Sequence, residues 1–176
     1  MYLDILILAM IRDEPRHGYE IKKRVSGVLG MGVTLNNNIL YPSLRRFEEE
    51  GAVKSKVESH AGTPARRVYR LTPTGHELLR TMLEDFPAER ADSDPEFFVR
   101  LAFFELLDDE VRADILATRR QALAAELEHV TRMRKSIDPR RDRYPAALID
   151  FLIERLEREI RWIDGLKRQL AKERTP

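Results

Sequence analysis

The sequence predicts a mainly α-helical protein with a small β-hairpin wing: an N-terminal winged helix-turn-helix over residues 1–90 and a C-terminal helical dimerisation domain over residues 91–176. Three observations carry this. Asn36-Asn37-Asn38 opens an amphipathic segment that runs directly into a basic, alternating hairpin pattern. Residues 87–95 interrupt the chain with acids, small residues and two prolines. Everything after them has helical periodicity.

Residues 3–11 are almost wholly apolar, which predicts a helix buried on most sides and ended by Asp13-Glu14-Pro15. Tyr19, Ile21 or Lys22, Val25 and Val28-Leu29 mark a second amphipathic helix, opened by His17-Gly18 and closed by Gly30 and Gly32. In the third, the Asn side chains can accept from the free N–H groups of a first turn. Leu40, Leu44 and Phe47 then recur at i, i+4 and i+7, and Gly51 supplies the stop. Pro42 lacks the N–H of an interior helical bond, so the regular helix either begins near Leu40 or bends at Pro42. Residues 53–57 and 67–71 alternate as strands around a turn at Gly62-Thr63-Pro64. Thr72 caps a fourth helix with Pro73 at its first position and Leu78, Leu79, Met82, Leu83 and Phe86 inward.

Beyond the break, helices are expected near 95–107, 109–136 and 144–173, with Asp108 and Asp109 available as caps and Asp138-Pro139 as a break. The last carries Ile149, Ile153, Leu156, Ile160, Ile163 and Leu170 in steps of four and three, with one interruption near Leu166, a coiled-coil-like seam. Leu116, Leu123, Leu127 and Val130 in the preceding helix can pair with it antiparallel. A second stripe, Leu148, Phe151, Leu152, Trp162 and Leu166, is then left for a second subunit. The alternative is a three-helix bundle within one chain.

Lys54, Lys56, Arg66, Arg67 and Arg70 face a single acid, Glu58, in the hairpin. After a capped helix carrying Arg45 and Arg46, this local excess points to DNA, because Lys and Arg displace condensed counterions from phosphates. Asn36, Asn37 and Asn38 serve as caps, phosphate contacts or readers of adenine N6/N7. Tyr41 and Ser43 are expected to project toward the groove. Arg45 and Arg46 reach phosphates or pair with Glu48, Glu49 or Glu50.

The net charge is only +1, so charge placement rather than bulk attraction must do this work. No cysteine is present, which excludes disulfides and thiolate metal sites. His17, His60, His76 and His129 are scattered, and there is no phosphate-binding glycine loop. No enzyme activity, cofactor or metal is therefore expected. The apolar start is short, contains Asp4 and has no basic residue before it, which argues against a signal peptide or membrane span and for the cytoplasm.

Three blocks, residues 15–21 (Pro15-Arg16-His17-Gly18-Tyr19-Glu20-Ile21), 40–51 (from Leu40-Tyr41-Pro42-Ser43-Leu44 to Gly51) and 66–75 (from Arg66-Arg67-Val68-Tyr69 to Gly75), resemble the signature blocks of PadR-type transcriptional regulators. The resemblance implies a homodimeric repressor of double-stranded operator DNA, with an N-terminal winged helix and a C-terminal dimerisation domain. Residues 96–104 resemble the subgroup with an extended C-terminal domain. Some members answer to phenolic or other apolar compounds, and Phe97, Phe98, Phe104, Phe151 and Trp162 can line such an effector pocket or simply form core. The competing function is a helical protein-interaction adaptor whose winged helix docks a protein.

Overall fold

The computed structural model describes residues 1–28, 35–58 and 66–173. The glycine closure of the second helix and the hairpin turn at Gly62-Thr63-Pro64 lie outside the described residues. The chain folds as two compact units, Met1–Asp85 with Phe98–Leu107, and Phe86–Phe97 with Asp108–Pro176. No helix among the described residues is long and apolar enough to cross a membrane.

The first unit contains α1 (Tyr2–Met10), β1 (Arg16–His17), α2 (Gly18–Val28), α3 (Asn37–Glu49), β2 (Val53–Glu58), β3 (Arg66–Leu71) and α4 (Pro73–Glu84). As its composition requires, α1 is central: Ile5 to Met10 are all buried, and it packs on α2, α3 and α4. Ile21 and Val25 of α2, Leu40, Leu44 and Phe47 of α3, and Leu79 and Leu83 of α4 close the core around it. Helix α3 runs unbroken from Asn37 through Pro42. Of the two alternatives for Pro42, a start near Leu40 does not occur; the proline is accommodated inside the helix, where the Asn38 carbonyl forgoes its i+4 donor.

The sheet has three antiparallel strands in the order β1-β3-β2. The hairpin register pairs Val53 with Leu71 and Glu58 with Arg66. Strand β1 was not foreseen, because two residues show no periodicity; it adds Arg16 opposite Tyr69 and His17 opposite Val68.

Gly51 ends α3 with φ +72°, the left-handed value that favours glycine. Thr72 caps α4 by accepting from the Gly75 N–H at 3.1 Å, while its N–H donates to the Ala52 carbonyl at 3.1 Å and its hydroxyl lies 2.7 Å from the Gly51 carbonyl and 3.1 Å from that of Ala52. The Ala52 carbonyl is thereby fixed, and a Cβ at Gly75 would stand 2.0 Å from its oxygen. Gly75→Ala is expected to cost about 1–3 kcal/mol through overpacking. Thermal unfolding at an unchanged Tm would contradict this fixed contact.

Helix α5 (Asp94–Leu101) contributes residues to both units. The helix expected to reach residue 107 stops there, because Phe103 leaves helical backbone (φ −124°, ψ 25°) and a 3-10 turn follows at Phe104–Leu106. Within the first unit, the buried Arg100 donates to the Met82 and Asp85 carbonyls at 3.2 and 2.6 Å, placing positive charge at the C-terminal end of α4.

The second unit is dominated by α6 (Asp109–Lys135) and α7 (Arg143–Glu173). Arg120 meets Asp164 at 2.7 Å and Arg134 meets Asp150 at 2.6 Å, so residues pair with a nearly constant index sum and the helices run antiparallel. Hydrogen bonding from Arg120 lowers the Asp164 carboxyl below its ordinary value. Ile149, Leu156 and Ile163 of the seam are buried, as are Leu116, Leu123 and Val130 of α6. Of the second stripe, Leu148, Phe151 and Trp162 are 58, 55 and 42% exposed, while Leu152 and Leu166 are half-buried.

Candidate nucleic-acid interface

The beginning of α3, the beginning of α2 and strand β3 bound a cleft of about 1080 Å³ in the first unit. Tyr19, Tyr41 and Tyr69 give it an aromatic lining, and Lys23, Arg24, Arg66 and Arg67 give it positive charge. Its two acids are already engaged. Glu20 accepts from the His17 N–H at 3.0 Å, which fixes the first turn of α2, and Glu14 pairs with Arg16 at 2.9 Å. Lys23, Arg24 and Arg66 are exposed and ion-pair with none of the described residues. Burial pushes the Tyr69 phenol above its ordinary value, so it stays a neutral hydroxyl beside these cations.

Tyr19 was expected on the inner face of α2 but is 75% exposed. Ile21 and Val25 define the buried line of that helix. Tyr19 and Lys23 lie two positions away from it, about 200° around the axis. Tyr19, Lys23 and Arg24 are thus cleft residues absent from the sequence expectation, and the i, i+4 spacing of Tyr19 and Lys23 was the available signal. Tyr41, 45% exposed, lies with its hydroxyl 2.9 Å from where a Cβ on Gly18 would stand, so the glycine admits the ring.

At the start of α3 the three asparagines divide. Asn36 is the cap, accepting from the Ile39 N–H at 3.0 Å. Asn37 accepts from Lys22 Nζ at 3.0 Å, and Asn38 is exposed. Ser43 does not project outward. It is 8% exposed, and its hydroxyl donates to Asp4 at 3.0 Å, because it lies one position from Leu44 on the side of α3 that faces α1. Arg46 reaches the same carboxylate at 2.7 Å and lies 3.8 Å from Glu50. Asp4 therefore holds α3 on α1 through two donors. Arg45 is exposed and ion-pairs with none of the described residues.

The hairpin cations separate by strand alternation. Lys54, Lys56, Arg66 and Arg70 share one face, and Lys54 stands directly opposite Arg70. Like charges so placed repel each other, a cost that a bound phosphate would offset. Arg67 is on the other face, donating to Ser55 at 2.6 Å and Glu48 at 3.2 Å, and it ties the hairpin to α3. Glu48 also accepts from the Ser55 hydroxyl.

The aromatic positions expected around an effector are dispersed. Phe98 and Phe104 belong to the first unit; Phe97, Phe151 and Trp162 belong to the second. Phe97 is fully buried, with its ring edge-on to Trp162 at 6.4 Å, and Phe151 is exposed. Among the described residues no His/Asp/Glu group is arranged to hold a metal ion.

The sequence pattern of the transcriptional regulator PadR-like family matches residues 7–81, and that of the virulence activator alpha C-terminal family matches residues 95–171. The negative transcriptional regulator PadR of Bacillus subtilis (strain 168) is 23% identical over 175 residues, spanning 96% of each chain. A crystal structure of Bacillus subtilis PadR in complex with operator DNA aligns with 97% of this chain and 99% of its own, at 18% identity and TM-score 0.47. A PadR family regulator from Eggerthella lenta DSM 2243 is 33% identical over 45% of this chain and 66% of its own, with TM-score 0.39.

Proposed function

Since this chain belongs to the PadR-like family of DNA-binding transcriptional regulators, we propose that it is a homodimeric repressor that reads operator DNA with α3 and grips phosphates with the cleft and hairpin. The cleft carries this reading: Lys23, Arg24 and Arg66 project beside the exposed start of α3 with their acidic neighbours already engaged elsewhere. In this reading residues 1–90 contain the DNA-binding module and residues 91–176 provide dimerisation. Asn37, Asn38, Tyr41 and Arg45 face the groove, while Lys54, Lys56, Arg66 and Arg70 track the backbone. Asn36, Ser43, Arg46 and Arg67 hold the reading helix in place.

Arg66→Ala is expected to weaken binding to specific and random DNA alike and to lower the slope of log affinity against log salt by roughly 0.9. An unchanged slope would remove this hairpin face from the interface. A protein-docking adaptor, by contrast, would show no salt-sensitive affinity for any duplex.

A small apolar or phenolic effector is proposed to release the operator, with Trp162, 42% exposed, as the probe of its binding. Coupling of this kind is reciprocal. Operator DNA should weaken effector binding by the same factor that effector weakens DNA binding, as read by Trp162 fluorescence. Equal effector affinity with and without operator would exclude that coupling.

A further inference from the structure

Lys22 is half-buried on α2, and its ammonium nitrogen lies 3.0 Å from Asn37 Oδ1 at the start of α3. An ammonium group has donors and no acceptor, so the amide atom it meets must be the carbonyl oxygen. This contact fixes which way the Asn37 amide points. The NH2 is left for whatever the exposed start of α3 meets, and the ammonium supplies further N–H groups next to it. Asn36 offers no competing use, because its own side chain is spent on the cap.

An asparagine pairs with adenine by donating to N7 and accepting from the N6 amino group at its carbonyl oxygen. Here Lys22 holds one of the two lone pairs of that oxygen and sets its ammonium beside the other. Adenine would also bring its N6 donor toward an ammonium donor. Guanine instead offers two adjacent acceptors, N7 and O6, in the major groove. We infer that Lys22 is a specificity-determining residue that makes Asn37 a donor-only reader, selecting guanine over adenine at one position of each half-site. This rests on the proposal that α3 enters the major groove.

The test is operator selection from randomised duplexes with the full-length protein and its Lys22→Met, Lys22→Arg and Asn37→Ala variants, each checked for native helicity. The wild-type protein should enrich guanine at one position per half-site, and 7-deazaguanine there should weaken binding. Lys22→Arg, still donor-only, should keep the preference. Lys22→Met should reduce the guanine-to-adenine ratio at that position by roughly tenfold, the scale of one base-edge contact. If Lys22→Met weakens all sequences equally and lowers the salt slope, Lys22 contacts phosphate; the inference then fails while DNA reading by α3 stands. If Asn37→Ala and Lys22→Met both leave every operator's affinity and base preference unchanged while the wild-type protein binds specifically, the inference fails, and specificity rests on residues other than these two, such as Asn38, Tyr41 and Arg45 of α3.

Discussion

On the proposed homodimer, introducing Leu148→Glu and Phe151→Glu together is expected to convert the protein from dimer to monomer and to weaken operator binding by about 10²–10⁴-fold, the usual advantage of linking two binding events. The seam of α7 is occupied, since Ile149, Leu156 and Ile163 are buried beside α6. Its outward side still carries Tyr144, Leu148, Phe151 and Trp162, 81 to 42% exposed and spaced by four, three and eleven residues. Apolar residues recurring at four and three along a helix suit a partner helix. A second copy of the same helix, related by a two-fold axis, presents the same face in return. In the proposed homodimer this would also set two α3 helices on a palindromic site, which a single half-site contact cannot match. Because both positions are already exposed in the single chain, the double substitution should leave circular dichroism and the folding of each unit intact. A dimer persisting in light scattering would place the interface elsewhere.

Much of the first unit was legible because its signals are local. The Asn36 cap, the Leu40-Leu44-Phe47 stripe, Gly51 and the Thr72-Pro73 start each leave a residue-level mark that the structure repeats. What escaped depended on partners distant in sequence. Strand β1 exists only because β3, about 50 residues on, pairs with it. Ser43 looked outward from its neighbours in sequence, yet Asp4, 39 residues earlier, draws its hydroxyl inward. Arg67 counted as one cation among five until Glu48 and Ser55 were seen to engage it. Tyr19 was misread for a different reason: an aromatic ring was assigned to the core by type, although its angular position opposed Ile21 and Val25. In α6 the apolar stripe skipped position 119 because an arginine stands there.

That arginine carries the other large expected effect. Arg119 is 1% exposed, donating to Glu159 at 2.9 and 2.7 Å, to Asp94 at 2.5 Å and to the Ala91 carbonyl at 2.8 Å, with its guanidinium 5.3 Å from the Phe97 ring centroid. It thus joins the start of α5, the turn before it, α6 and α7 inside the second unit. Arg119→Met preserves much of the side-chain volume but strips Glu159, 16% exposed, of its counter-charge. Breaking a buried pair from one side costs roughly 3–5 kcal/mol. Asp94, 45% exposed, can return to water and adds less. The ion pair itself is another matter: replacing both partners removes the stranded charge, and well-packed apolar substitutes for buried pairs are often neutral or stabilising. Arg119→Met with Glu159→Leu should therefore recover most of the loss in denaturant unfolding, giving a strongly non-additive cycle. An additive result, with the double variant as unstable as the two single losses combined, would mean that Glu159 is not the group left stranded and that the unit depends on the Arg119 contacts to Ala91 and Asp94 instead.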